Sequence, residues 1–120
     1  YNPNMPDLLP NAANAVIDPR KLRDYVLSFE HDTGRYKAAF FAQMGYSADD
    51  WSRLERDIRE QHLVQPAEPG QPSSLGRKYV ITAALQGPHG LARQVTSVWI
   101  IRPSREEAEL VTIEPAARKG

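Results

Sequence analysis

The spacing of apolar residues changes along the chain from a helical period to a strand period. In the first half, apolar side chains recur every three or four residues in three successive segments. The three stripes are Leu22, Tyr25, Val26 and Phe29; Tyr36, Phe40 and Met44; and Trp51, Leu54 and Ile58. Asp18 before Pro19 and Ser47 before Asp50 are suitable N-terminal caps, and Gly45 is a stop signal. The pattern predicts three helices.

In the second half the apolar period falls to two, which is typical of strands. A first strand is predicted around residues 79–85, and a turn at 87–90 leads into a long second strand at 91–101. Residues 98–101 are apolar on both faces, as in the middle of a sheet. A third strand follows at 110–113, and the short apolar run at 15–17 is predicted as an edge strand.

Helices followed by a meander predict an α+β fold, with N-terminal helices packed on one face of a C-terminal antiparallel sheet. The expected contacts between the two layers are Tyr25, Phe40, Trp51, Leu54 and Trp99. Residues 11–115 are predicted to form a single domain, with an extended proline-containing arm at 1–10 and a polar tail at 116–120. The Pro, Gly and Ser residues of 65–76 predict a mobile connector inside that domain.

Composition narrows the function classes. Fifteen basic residues balance fifteen acidic ones, so net charge gives no reason to expect nucleic acid or an anionic membrane. The absence of cysteine excludes disulfides, thiolate metal sites and cysteine nucleophiles. No apolar run approaches the ~20 residues of a membrane span. The chain does not begin with methionine, and we expect a fragment or a trimmed product of a longer protein.

The well-marked enzyme motifs are absent from the sequence. It has no phosphate-binding glycine loop, HExxH helix, calcium loop or GxSxG elbow. Three histidines lack the spacing of metal ligands, and we expect no metal and no cofactor. His62, near a helix end, and His89, in a turn, are expected to be solvent-exposed and structural. Only His31 remains as a candidate for chemistry.

The segment from His31 to Lys37 combines an imidazole, a glycine and cations at the start of an aromatic helix. A helix N-terminus adds backbone donors and a positive partial charge, so this end is suited to a phosphate, with Arg35 and Lys37 nearby. The alternative is that Asp32 or Thr33 simply caps the helix while the cations lie in water.

A second candidate surface lies on the predicted sheet. Arg77 and Lys78 begin the first strand, Ser97 and Trp99 share a face of the second, and Thr112 lies on the third. Cations, hydroxyls and a tryptophan on one face would suit a polynucleotide, through phosphate contacts and base stacking. The alternative is that Trp99 anchors the core.

Short motifs spread over the chain carry a family resemblance. They are LPNA at 9–12, AVI at 15–17, LRDYVL at 22–27, His31, Gly34, KAAFF at 37–41, Gly45-Tyr46, GRKYV at 76–80, GPHG at 87–90, SVWII at 97–101 and LVT at 110–112. Together they resemble a bacterial family of domains of unknown function. The family usually has Asn-Pro in place of Ser28-Phe29, threonine in place of Ser97 and Ala-Tyr in place of Ile113-Glu114.

Members of that family occur as small proteins beside a short partner gene and as C-terminal tips of polymorphic secreted toxins. The resemblance therefore implies a toxin-like activity and a cognate immunity or antitoxin protein. It also implies action in the cytoplasm, either of the producing cell or of a target cell after secretion within a larger toxin. The layout is similar to the barnase, EndoU, colicin and RelE group of metal-independent ribonucleases, a likeness at the level of fold.

Two hypotheses of different classes follow. In the first, the domain cleaves RNA: His31 transfers a proton, Lys37 and Lys78 balance the charge of the phosphorane, and Ser97 and Thr112 orient the phosphate. Arg35, Arg77 and Trp99 would then bind the nucleic acid. In the second, the domain is a non-catalytic module that binds an immunity protein or a larger toxin body, which neutral charge favours. A single groove holding all the cations would favour the enzyme, and their dispersal the module.

Overall fold

Helices and strands follow one another in the predicted order. The structure is a computed structural model that describes residues 7–30 and 35–117. The helices are α1 (Pro19–Lys21), which continues as a π-helical turn (Leu22–Val26), α2 (Arg35–Gln43), and α3 (Trp51–Asp57), which continues as a π-helical turn (Ile58–His62). The strands are β1 (Glu68–Pro69), β2 (Arg77–Gln86), β3 (Ala92–Ile101) and β4 (Glu109–Pro115). The α+β prediction is confirmed.

The strands form one antiparallel sheet in the order β1-β2-β3-β4. Strands β2 and β3 pair without interruption from Arg77 with Ile101 to Gln86 with Ala92. Between β3 and β4 the register shifts at a bulge, so that Val98 pairs with Thr112 and Trp99 with Leu110. The apolar run of β3 therefore lies in a central strand, as predicted, and β4 is an edge strand.

One face of the sheet is covered by the helices and the other is open. The covered face contributes buried residues of β2, β3 and β4 to the core: Ile81, Leu85, Val95, Trp99, Leu110 and Ile113. The helices meet them with Leu22, Val26, Phe41, Leu54 and Ile58. Thr82 and Ala84, which alternate with the buried residues of β2, are exposed. This period of two places polar and apolar side chains on opposite faces.

The expected contacts between layers are partly corrected. Leu54 and Trp99 are fully buried, and Phe40 and Trp51 pack against the core. Tyr25 was predicted to be a core residue, and this is wrong, because 48% of its surface is exposed.

The buried face of α2 also differs from the predicted stripe. Ala38 and Phe41 are buried in α2, and Met44 is buried just after it, while Tyr36 is 70% exposed. Phe40 lies at the margin, where the Arg93 guanidinium sits 5.4 Å from its ring centroid.

Two short segments depart from their predicted roles. Inside the connector 65–76, Glu68 and Pro69 pair with Val80 and Tyr79 as an edge strand, a place where proline is tolerated. Of the predicted strand 15–17, only Val16 pairs, in a parallel bridge beside β4. Its N–H donates to the Ala108 carbonyl at 2.8 Å, and its carbonyl accepts from Leu110 N at 2.9 Å.

No helix in the described part of the chain is long and apolar enough to cross a membrane.

Candidate functional site

Two of the predicted catalytic residues meet at the edge strand β4. Lys37, on α2, donates a hydrogen bond from Nζ to Oγ1 of Thr112 at 3.0 Å, and Nζ lies 3.6 Å from Oε2 of Glu114. Thr112 and Glu114 pair with Val98 and Thr96, whose side chains alternate with the buried Ser97 and Trp99. Lys37 therefore reaches from the helical layer to residues of β4 that belong to the open face.

A cleft lies beside this contact, between the first helical segment, α2 and β4. We call it the edge cleft. It has a volume of about 380 Å³ and is lined by Lys21, Tyr25, Val26, Lys37, Val111 and Thr112. Lys21 donates from Nζ to the Leu110 carbonyl at 2.9 Å, which ties the helical segment to the edge strand. Both lysine side chains are thereby held at the cleft.

The edge cleft combines positive charge with an apolar wall. A lysine ammonium has three N–H donors, and these hydrogen bonds use one donor from Lys21 and one from Lys37. The remaining donors are available to an anion, and Glu114 partly balances the charge on one side. Val111 and the Tyr25 ring supply the exposed apolar surface. Such a cleft is suited to a ligand that carries a phosphate and an apolar ring.

The open face of the sheet holds a third predicted residue. Lys78 on β2 pairs with Ile100 of β3, and Thr112 on β4 pairs with Val98 of β3. Since Val98 and Ile100 are two residues apart on one strand, Lys78 and Thr112 lie on the same face of the sheet. From strand geometry their Cα atoms are about 12 Å apart. In the next row of the sheet, on the side away from Lys78, Thr82 and Thr96 share a hydrogen bond of 3.0 Å between their hydroxyls. Lys78 is exposed and makes no contact with the edge cleft.

Ser97 and Trp99 lie on the other face, inside a buried polar network with His62. Trp99 donates from Nε1 to Ser97 Oγ at 2.9 Å, and Ser97 Oγ is 2.8 Å from His62 Nδ1. His62 Nε2 lies 3.2 Å from the Ala83 carbonyl. Because a carbonyl only accepts, Nε2 carries the proton and Nδ1 accepts from the Ser97 hydroxyl.

The buried network changes the interpretation of all three residues. His62 was expected to be solvent-exposed, and this is wrong: it is fully buried because both ring nitrogens find partners on the sheet. Burial lowers the pKa of the His62 imidazole below its ordinary value of 6.5. The Ser97 hydroxyl is already used, and Trp99 is fully buried, as a core anchor would be. His89 is exposed in its turn, as expected.

The remaining predicted residues do not form one groove. Arg77 stands 5.7 Å from the Tyr79 ring centroid and lines a separate cleft with Arg102 and Arg105. Arg35 is exposed at the first residue of α2. His31 lies outside the described residues, so its candidate role stays a prediction. Within residues 7–30 and 35–117, no group of His, Asp or Glu side chains could hold a metal ion.

Sequence reasoning missed two kinds of residue. Lys21 and Tyr25 line the edge cleft, but the helical stripe assigned Tyr25 to the core and drew no attention to Lys21. A buried Tyr46–Asp57 pair was also missed: the Tyr46 hydroxyl donates to Asp57 Oδ2 at 2.6 Å, and Arg53 Nε lies 3.2 Å from the same oxygen. Burial and the Asp57 carboxylate raise the pKa of Tyr46. The only signal of this pair in the sequence was Asp57, a polar residue at a position of α3 that faces the core.

Comparison with known proteins shows the family to which the chain belongs. The chain matches a family model over residues 8–117 and belongs to that family, described as Domain of unknown function (DUF6883). No curated protein matches the chain significantly.

A solved structure shares the fold. It is described as a contact-dependent growth inhibition toxin - immunity protein complex from Klebsiella pneumoniae 342, and one of its chains is 17% identical to this protein. The alignment covers 89% of this chain and 97% of that chain, with a TM-score of 0.64. The expected likeness to the barnase, EndoU, colicin and RelE group stays a prediction.

Proposed function

We propose that this domain is the toxin of a bacterial toxin–immunity system and that it cleaves RNA without a metal ion. The observation that carries the proposal is the convergence of Lys21, Lys37 and Thr112 on the edge cleft. The family resemblance and the fold shared with a chain from a toxin–immunity complex support the toxin context. A cognate immunity protein is the expected partner, and the target cytoplasm is the expected place of action.

In the proposed mechanism the scissile phosphate lies between the Lys21 and Lys37 ammonium groups, with the Thr112 hydroxyl beside it. The two cations stabilise the phosphorane as its charge develops, in a cleft partly screened from water. His31, six residues before Lys37 in sequence, is proposed to take the proton of the ribose 2′-hydroxyl as that oxygen attacks the phosphorus, and to give it to the 5′-oxygen as the bond from phosphorus to that oxygen breaks. Lys78 would hold a neighbouring phosphate on the open face. Ser97 is left out because its hydroxyl already donates to His62.

The proposal is tested with the purified domain, single-stranded RNA and EDTA in the buffer. Wild type should cleave the RNA, Lys37→Ala should lose cleavage by two orders of magnitude or more, and Arg56→Ala should cleave normally. Arg56 is the matched control because it is an exposed cation on α3, away from the edge cleft. Failure of folded wild type to cleave any RNA, or full cleavage by Lys37→Ala, would contradict the proposal.

A non-catalytic binding module is the second candidate, and the dispersal of the cations favours it. Arg77 and Lys78 lie at the start of β2, whereas Lys37 contacts β4 at the opposite edge of the β2–β4 region. The open face also presents Val80 and Ile100, which are partly exposed and would suit a protein partner. Expression in bacteria with and without the adjacent gene separates the two candidates. Growth arrest with degraded RNA, relieved by the adjacent gene, would favour the ribonuclease, whereas normal growth with intact RNA would favour the module.

A further inference from the structure

We propose that Tyr25 is the base-stacking residue of the edge cleft. One nucleotide of a single strand would place its base on the Tyr25 ring and its phosphate between Lys21 and Lys37. This inference rests on the proposed RNA-cleaving function and names how the substrate is held at the same site.

The exposure of Tyr25 has a structural cause in the π-helical turn Leu22–Val26. Leu27 N donates to the Leu22 carbonyl at 2.9 Å, a bond to the fifth preceding residue. The wider turn buries residues 22, 26 and 27, whereas a regular helix would bury the stripe 22, 25, 26 and 29. Tyr25 is thereby turned out of the core and into the lining of the cleft.

The bulge in β4 exposes Val111 on the side of the edge cleft that β4 forms. Val111 is the extra residue between Leu110 and Thr112, which pair with Trp99 and Val98, and 42% of its surface is exposed. Bulges re-aim side chains in this way and are frequent beside functional sites. Two local irregularities, one in the helix and one in the strand, thus turn an aromatic ring and an apolar side chain toward the same space.

The chemistry of the cleft matches a nucleotide. Its exposed apolar surface is formed by Tyr25 and Val111, and its polar rim by the two lysines and Thr112. Lys21 and Tyr25 are four residues apart on one helical segment, a spacing that places side chains on the same side. A base on the ring would therefore have its own phosphate near the Lys21 ammonium. A cleft of about 380 Å³ is large enough to hold one nucleotide.

Stacking on Tyr25 predicts a measurable loss of affinity when the ring is removed. Stacking of one base on an aromatic side chain typically changes affinity by roughly 5- to 150-fold. Every base has an aromatic face, so the preference is for single strands and not for one base sequence. Tyr25→Ala should weaken binding of a short single-stranded oligonucleotide by at least about fivefold.

The experiment uses a 2′-O-methyl oligonucleotide, which binds but cannot be cleaved through its 2′-oxygen, and an abasic chain of the same length. Tyr25→Ala should weaken binding of the base-containing strand and leave binding of the abasic strand unchanged. Tyr25→Phe keeps the ring and should bind like wild type. Tyr36→Ala is the matched control, because Tyr36 is a more exposed tyrosine that lines a different cleft.

Each outcome decides the proposal. Equal affinity of wild type and Tyr25→Ala, or an equal loss for both strands, would overturn base stacking. If Tyr25→Ala does not fold, Tyr25→Leu keeps apolar volume without the aromatic ring and should show the same selective loss. A loss of cleavage in Lys37→Ala without any effect of Tyr25→Ala would overturn this inference alone. A folded wild type that binds neither strand and cleaves no RNA would overturn the proposed function as well.

Discussion

Lys37 and Thr112, 75 positions apart in the chain, are joined by a hydrogen bond of 3.0 Å between the ammonium and the hydroxyl. The bond crosses from the helical layer to the edge strand and holds the lysine at the edge cleft. The ion pair with Glu114 at 3.6 Å is partly exposed and adds little stability. The geometry of the proposed phosphate site therefore depends on the Thr112 hydroxyl.

Thr112→Val removes that hydroxyl while keeping the shape of the side chain. We expect RNA cleavage to fall about tenfold or more, because a misplaced cation stabilises the phosphorane less well. The free energy of unfolding should fall by less than about 1.5 kcal/mol, since water can replace the lost acceptor at a partly exposed group. Cleavage rates and urea denaturation measure the two effects. Thr112→Ser should restore cleavage, and equal rates for all three proteins would contradict the role of the hydroxyl.

Trp99→Ala should destabilise the domain by roughly 3–5 kcal/mol, because a large side chain is removed from the core. The substitution also removes the indole N–H that donates a hydrogen bond to Ser97 Oγ. Chemical denaturation measures the change, and Tyr36→Ala, at a highly exposed tyrosine, should have nearly the stability of wild type. An unchanged melting temperature for Trp99→Ala would instead favour the base-stacking role proposed from sequence.

Acid should destabilise the domain through His62. Its pKa is lowered in the folded state by burial, so the unfolded chain binds a proton at a higher pH than the folded chain does. Stability is therefore fully present above pH ~6.5 and falls as the pH drops below that value, by at most about 1.4 kcal/mol per pH unit from this group.

The effect of His62 is measured as a difference between wild type and His62→Asn in urea denaturation from pH 7.5 to 5. The variant will be less stable at neutral pH, because Ser97 and Ala83 lose partners. Its stability should nevertheless depend less on pH than that of wild type. If the free energy of unfolding depends on pH equally in both proteins, His62 does not bind protons differently in the folded and unfolded states over this range.

His31→Ala should abolish RNA cleavage and toxicity while leaving the domain folded, and EDTA should not affect wild type. General acid or base catalysis typically contributes ~10²–10⁴-fold, so its loss is easily detected. His89→Ala is the matched control, because His89 is exposed in the turn between β2 and β3. Full cleavage by a folded His31→Ala protein would transfer the proton role to Lys37 and Lys78.

Regular secondary structure was predictable because local patterns carry it. The period of three to four residues identified three helical segments, and alternation from Tyr79 onward identified β2. The apolar run ending at Ile101 correctly indicated a central strand. Predictions failed where the backbone departs from regular geometry. A regular helix would bury Tyr25, but the π-helical turn exposes it, and a Pro-rich connector was not expected to supply β1.

The sequence by itself determined the fold class, because a helical period followed by a strand period leaves one compact way to bury both apolar faces. It also supplied Lys37 and Thr112 as candidates. Only the tertiary structure decided which candidates meet, since a hydrogen bond across 75 positions depends on how layers pack and not on any local pattern. It brought Lys37 to Thr112, enclosed Ser97 and Trp99 with His62, and turned Tyr25 into the edge cleft. The register of the strands and the irregular helical turns set the positions of these side chains. A shift in register or a wider helical turn moves every side chain that follows it along the element.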